Sequence, residues 1–217
     1  MSDNKRLPLR NGKKLHDAGI KLLDQAHDIV AASGENADSM VQIGTLLQNI
    51  SCTSVLDELL ALRPFGVDVI AQHEDGSLLT FYAMTNWQSP PRTDVHWHNY
   101  WQILTVVEGS WPDTVWKPVA RSRAGTAEAI AIDRRVVIDQ GDVQPLGPDE
   151  PHGWLAEDRR RTDRAMLLMW SGNARGKPRV VLDPESGRLS KDYGFLNPEP
   201  GSAIRPEGRS TFSYNRF

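Results

Sequence analysis

The chain has 217 residues, a formal net charge of −3 and a sequence pI near 6.1, which gives no electrostatic reason to expect nucleic acid or an acidic membrane surface as partner. The single cysteine, Cys52, excludes an intrachain disulfide. The polar start MSDNKRLPLRNGKK has no apolar stretch behind it and no run approaches membrane-spanning length, so the expectation is a cytoplasmic protein that acts on a small molecule.

Residues 1 to about 14 are polar and predict a frayed end. From His16 the pattern turns helical, with Ala18, Ile20, Leu22, Leu23, Ala26, Ile29 and Val30 spaced by threes and fours up to Ser33-Gly34. Met40, Ile43, Leu46, Leu47 and Ile50 predict a second helix capped by Asp38 or Ser39. A third, from Ser54 to Leu62, stops before Pro64. Residues 1–63 thus read as a helical segment that packs its leucine faces on the rest.

From Gly66 the composition becomes strand-like. VDVIAQ and LLTFYAMTNW flank HEDGS, a hairpin signal centred on Asp75-Gly76. The prolines of SPPRT separate it from the next strand, DVHWHNYWQILTVVEG, from Asp94 to Gly109. WPDTVWKPV reads as another strand with a turn in it, and ARSRAGTAEA as a polar loop tip. AIAIDRRVVIDQGD, PHGWLAE, AMLLMWSG and RVVLD follow as short strands at sandwich or barrel spacing. All seven tryptophans fall between Trp87 and Trp170, marking residues 64–183 as one compact β unit. Residues 184–217 predict an extended tail, held by Tyr193, Phe195, Phe212 and Tyr214, that wraps the barrel or a neighbouring subunit, as in a homodimer.

Chemistry concentrates at the head of the Asp94–Gly109 stretch. Residues i and i+2 of a strand share a face, so His96 and His98 present two imidazoles on one wall. His152, at the end of the Gly-led GDVQPLGPDEPH, is the natural third ligand, and three neutral imidazoles suit a divalent transition metal with open positions. The plain alternative is that His96 and His98 are half-buried strand residues. Asp94, two before His96, completes a two-histidine-one-carboxylate set if His152 points elsewhere. Tyr100 and Trp154 share strand parity with His98 and His152 and either line the pocket or pack in the core. His16, His27 and His73 read as surface residues, and Arg159, Arg160 and Arg161 as a solvated loop.

The frame around these histidines resembles the cupin superfamily. Its first motif runs His-x-His, three or four residues, Glu, six residues, Gly, matched by His96-Trp97-His98, Gln102 and Gly109. Its second begins with Gly and reaches a histidine eleven residues on, as do Gly141 and His152, with Gly147 and Asp149 at its inner Pro and Gly. The resemblance implies a mainly β double-stranded β-helix, the jelly-roll barrel, with His96, His98 and His152 as ligands. The usual carboxylate ligand is replaced by Gln102, which leaves a charge-neutral three-histidine set that favours an anionic co-ligand, with the amide free to donate to substrate or oxygen.

The three histidines, the helical amino-terminal layer and LDPESG near residues 182 to 187 look like the thiol dioxygenases of the cysteine dioxygenase type, over residues 75 to 187. That resemblance implies iron(II), with manganese, nickel or zinc as alternatives, and a thiol and dioxygen converted to a sulfinate. The family's Ser-x-His-x-Tyr relay is replaced by Leu167, Met169 and Ser171, and its carboxylate-clamping arginine has no counterpart around Ala71 to Gly76; Arg92 reads either as a substitute for it or as a solvated turn arginine. The alternatives are a cupin that binds a metal or small ligand without turnover, and a metal-dependent lyase or isomerase.

Overall fold

The computed structural model describes residues 13–51, 66–85, 94–121, 128–154, 164–174, 177–183 and 188–192. The predicted third helix, Cys52, SPPRT with Arg92, the arginine run at 159–161 and most of the tail lie outside the described residues.

The first two helices form as the periodicity predicts. α1 (Lys13–Ser33) turns its apolar stripe inward and ends at Gly34, whose φ of 77° closes the helix while its N–H reaches Val30 O at 2.7 Å. α2 (Ala37–Ser51) is capped two or three residues earlier than predicted. Asn36, not Asp38 or Ser39, is the cap: its Oδ1 accepts the N–H groups of Asp38 and Ser39 at 3.0 and 3.1 Å. Ser39 instead donates its hydroxyl to Gly34 O at 2.6 Å, closing the tight connection between the helices.

β1 (Gly66–Gln72) and β2 (Leu78–Thr85) make the predicted hairpin, with Gly76 at φ 89° in its turn. β3 (Asp94–His98) carries the His-x-His pair and stops there; Asn99 and Tyr100 bend before the next strand. β4 (Gln102–Arg121) corrects two expectations. It does not end at Gly109, and WPDTVWKPV is not a separate strand with a turn, because Ser110 to Arg121 continue the ladder against β5 (Glu128–Asp139). The register shift between Val106 and Glu108 and the φ of 79° at Gly109 bend the strand without stopping it. β6 (Val143–Leu146), β7 (His152–Trp154), β8 (Arg164–Ser171) and β9 (Arg179–Asp183) follow, and β10 (Arg188–Asp192) adds a strand antiparallel to β9 at the start of the expected tail.

The strands run in the order β1-β2-β8-β4-β7-β3-β9-β10, with β5 and β6 paired to β4. The fold is mainly β, a curled antiparallel sheet with a helical layer on it. β4 belongs to both walls: its first half pairs with β8 and β6, its second half with β5 and β7.

Two apolar layers explain the unbroken AMLLMW run of β8. Met166, Leu168 and Trp170 face the helices, packing with Leu22, Met40 and Ile43, while Ala165, Leu167 and Met169 face inward with Leu104 and Trp111. The helices approach closely through glycine: a Cβ at Gly44 would lie 2.7 Å from Val143 Cγ1, and one at Gly19 3.0 Å from Ala71 Cβ.

Candidate metal centre

Strand register brings the three histidines together. His96 on β3 stands opposite His152 on β7, and His98 follows on the same face two residues later. All three are buried, their rings lie 4.4 to 5.4 Å apart, and one ligand atom from each falls within 4.8 Å of the others. Both ring nitrogens of His98 and Nε2 of His152 are buried with no hydrogen-bond partner. Buried polar atoms are costly when unsatisfied, and converging imidazole lone pairs are satisfied together by one divalent cation. The residues present therefore fit a metal ion held by three histidines.

The same wall holds His98 neutral. Burial, then the neighbouring His96, His152 and Arg179, push its pKa well below the ordinary value, leaving the lone pair of one ring nitrogen available for a ligand role.

The loop before His152 is fixed by main-chain bonds. Asp149 N–H donates to His98 O at 2.8 Å, and Trp116 N–H to Pro151 O at 2.8 Å. Asp149 stands at φ 63°, in the left-handed region, at the position where the cupin motif has glycine. Aspartate tolerates this conformation better than most side chains, so the departure preserves the turn.

Two further residues belong to this wall, and the sequence reading missed both. Asp113, 2% exposed on β4, places Oδ2 3.7 Å from His152 Nδ1, while its Oδ1 accepts Gly153 N–H at 3.1 Å. Arg179, 4% exposed, pairs directly with His98 across β9 and β3, which puts both side chains on the same face. Local patterning signals neither, because each reaches the site through long-range strand pairing.

The other candidates fall as follows. Gln102 is buried and its Nε2 donates to Ser171 Oγ at 3.3 Å, which gives the amide a partner on β8. Tyr100 lies beyond the end of β3, so strand parity does not place it, yet its ring sits 4.9 Å from that of His98. Trp154 and Asp94 pair through their backbones on β7 and β3, and their side chains are outside the described residues, as is Arg92. Leu167 and Met169 are buried in the inner apolar layer.

No protein-family model matches the chain, and no curated protein does. Similar solved structures include hazelnut (Corylus avellana) vicilin, with 17% identity, TM-score 0.33 and coverage of 48% of this chain and 26% of the vicilin. A hydroquinone 1,2-dioxygenase solved with Cd2+ and 4-hydroxybenzonitrile shows 12% identity and TM-score 0.39 over 58% of this chain and 75% of that one. A protein from Neisseria meningitidis gives 14% identity and TM-score 0.35 over 55% and 97%. The chain thus spans about a quarter of the vicilin it matches. At such identities and scores the likeness carries no argument about this chain, whose β architecture stands on its own strand order and whose three-histidine group stands on its own geometry.

Proposed function

We propose that the chain is a non-haem iron(II)-dependent dioxygenase of a small anionic molecule, a thiol oxidised to a sulfinate being the substrate class its motifs favour. The observation that carries this reading is the convergence of three buried imidazoles on one wall that also holds a buried arginine. His96, His98 and His152 would hold the metal. Iron(II), when bound, supplies the redox chemistry that carries both atoms of dioxygen to sulfur.

The chain's own residues do the rest. Three neutral ligands leave the ion's charge uncompensated, and Arg179 adds a permanent positive charge beside His98, so an anionic substrate is attracted to this wall and oriented by it. Asp113 sets a buried carboxylate 3.7 Å behind His152 Nδ1, beyond hydrogen-bond distance, where it would act on the ring through its charge. Leu104, Leu167, Met169 and Trp111 make a dry inner layer.

Metal analysis and oxygen uptake test the reading. Protein reconstituted anaerobically with iron(II) is expected to consume oxygen with at least one member of a panel of thiols, carboxylates and β-diketones, and His152→Ala to lose its iron. Full iron content in His152→Ala would sink the ligand assignment.

One observation favours a second reading, a metal- or ligand-binding cupin without turnover: Leu167 and Met169 occupy positions where the thiol dioxygenases carry relay residues. Absence of oxygen uptake with every compound in the panel, from iron-loaded protein, decides for the binder. Turnover without oxygen decides for a lyase or isomerase, with manganese, nickel or zinc as the metals to compare.

A further inference from the structure

A second cluster of ligand-type side chains lies away from the barrel wall, where α1 crosses the β1–β2 hairpin. The close approach of Gly19 to Ile70 and Ala71 brings α1 down onto β1, and its next turns carry Asp24 and His27 over the hairpin turn. That turn carries His73 and Asp75. His27 Nδ1 lies 3.0 Å from Asp75 Oδ2 and His73 Nδ1 3.0 Å from Asp75 Oδ1, so each carboxylate oxygen faces one imidazole nitrogen. The two rings lie tilted by 34° with centroids 4.7 Å apart, and one ligand atom from each of the three residues falls within 4.8 Å of the others.

We propose that His27, His73 and Asp75 form a second divalent-metal site, suited to a zinc-class ion, that clips α1 to the β1–β2 hairpin. Two nitrogens and one carboxylate oxygen are a ligand set such ions take, with the remaining position open to water. Separations of 3.0 Å fall a few tenths of an ångström short of the about 3.4 Å edge of a tetrahedron whose arms are about 2.1 Å long, so the side chains would spread slightly on loading.

The surroundings orient these groups. Ser77 N–H donates to Asp75 Oδ1 at 2.7 Å and fixes the carboxylate, and Asp24 Oδ1 lies 3.8 Å from His73 Nε2, behind the nitrogen that faces Asp75. His73 is 20% exposed and Asp75 33%, with His27 at 45%, so the site is open to solvent on one side and can load without unfolding. It shares no residue with the His96, His98 and His152 wall, and it stands or falls independently of the proposed reaction.

Chelator-stripped full-length protein titrated with zinc(II) tests the proposal, with bound metal counted by equilibrium dialysis and folding checked by circular dichroism. The wild type is expected to hold two equivalents, and His27→Gln and Asp75→Asn one each, with the metal-induced rise in melting temperature reduced in both. His27→Gln alone decides if Asp75→Asn, which also loosens the Ser77 turn, fails to fold. His152→Ala, titrated in parallel, keeps the surface equivalent and loses the barrel one, so failure of either site is read separately. The same stoichiometry in His27→Gln as in the wild type overturns the proposal and leaves a hydrogen-bonded clamp only.

Discussion

Asp113 and His152 face each other across β4 and β7, with Oδ2 3.7 Å from Nδ1 and the carboxylate 2% exposed. A buried carboxylate at this edge, here beyond hydrogen-bond distance, acts through its charge, which would raise ligand basicity. Asp113→Asn keeps an oxygen acceptor for Gly153 N–H but removes the charge, and metal affinity is expected to fall about 10- to 100-fold. Competition against a chelator of known affinity measures it, and the melting temperature of the metal-free variant should move little.

Arg179 is the group on this wall expected to hold an anionic ligand. Removing one charge-assisted hydrogen bond costs about 1.5–3 kcal/mol, so Arg179→Gln should weaken an anionic ligand roughly 10- to 100-fold. A neutral thiol of similar size should be nearly unaffected. Equal losses for both ligands would move Arg179 from recognition to packing.

The metal-free protein should lose stability below about pH 6.5, where a histidine in the unfolded chain begins to bind a proton. Burial, with His96, His152 and Arg179, depresses the folded-state pKa of His98, so the folded chain declines that proton while the unfolded chain accepts it. The contribution is complete above the unfolded value and is lost as pH falls toward the folded one. Thermal melts from pH 8 to 5 check this, and His98→Asn should flatten the slope.

Gly44→Ala probes the contact between α2 and the barrel. The added Cβ would lie 2.7 Å from Val143 Cγ1, a stiff β-branched side chain. Overpacking of this kind costs about 1–3 kcal/mol. A drop of roughly 2–4 °C in melting temperature per kcal/mol is expected for a chain of this size, read by calorimetry.

How far the site can be read from the sequence follows from the range of each signal. The i, i+2 spacing of His96 and His98 is local and needs only the parity of a strand. The Gly141-to-His152 spacing survives the substitution at Asp149 because aspartate accepts the turn's φ of 63°. Asp113 was hidden by its neighbour: Pro112 argues for a turn, yet it sits where β4 pairs with β5 and, among the described residues, with no second strand, so the missing N–H leaves no gap in a central ladder. Arg179 reaches His98 only when β9 pairs with β3, and no spacing rule spans that distance. Likewise His27 and His73 look like unrelated surface residues until α1 packs on the hairpin. The helix cap slipped to Asn36 because three capping-type residues, Asn36, Asp38 and Ser39, stand within four positions and only side-chain direction separates them.

The two main-chain bonds that hold the loop before His152, Asp149 to His98 and Trp116 to Pro151, owe nothing to an ion. Main-chain bonds of sheet and loop thus frame the three histidines, and a metal bound there is expected to be a guest of that frame rather than a nucleus for folding. Stripping the barrel metal should leave backbone amides from His96 to Val115 as protected from hydrogen exchange as before, so that loading, loss and replacement of the ion become questions of chemical selectivity alone.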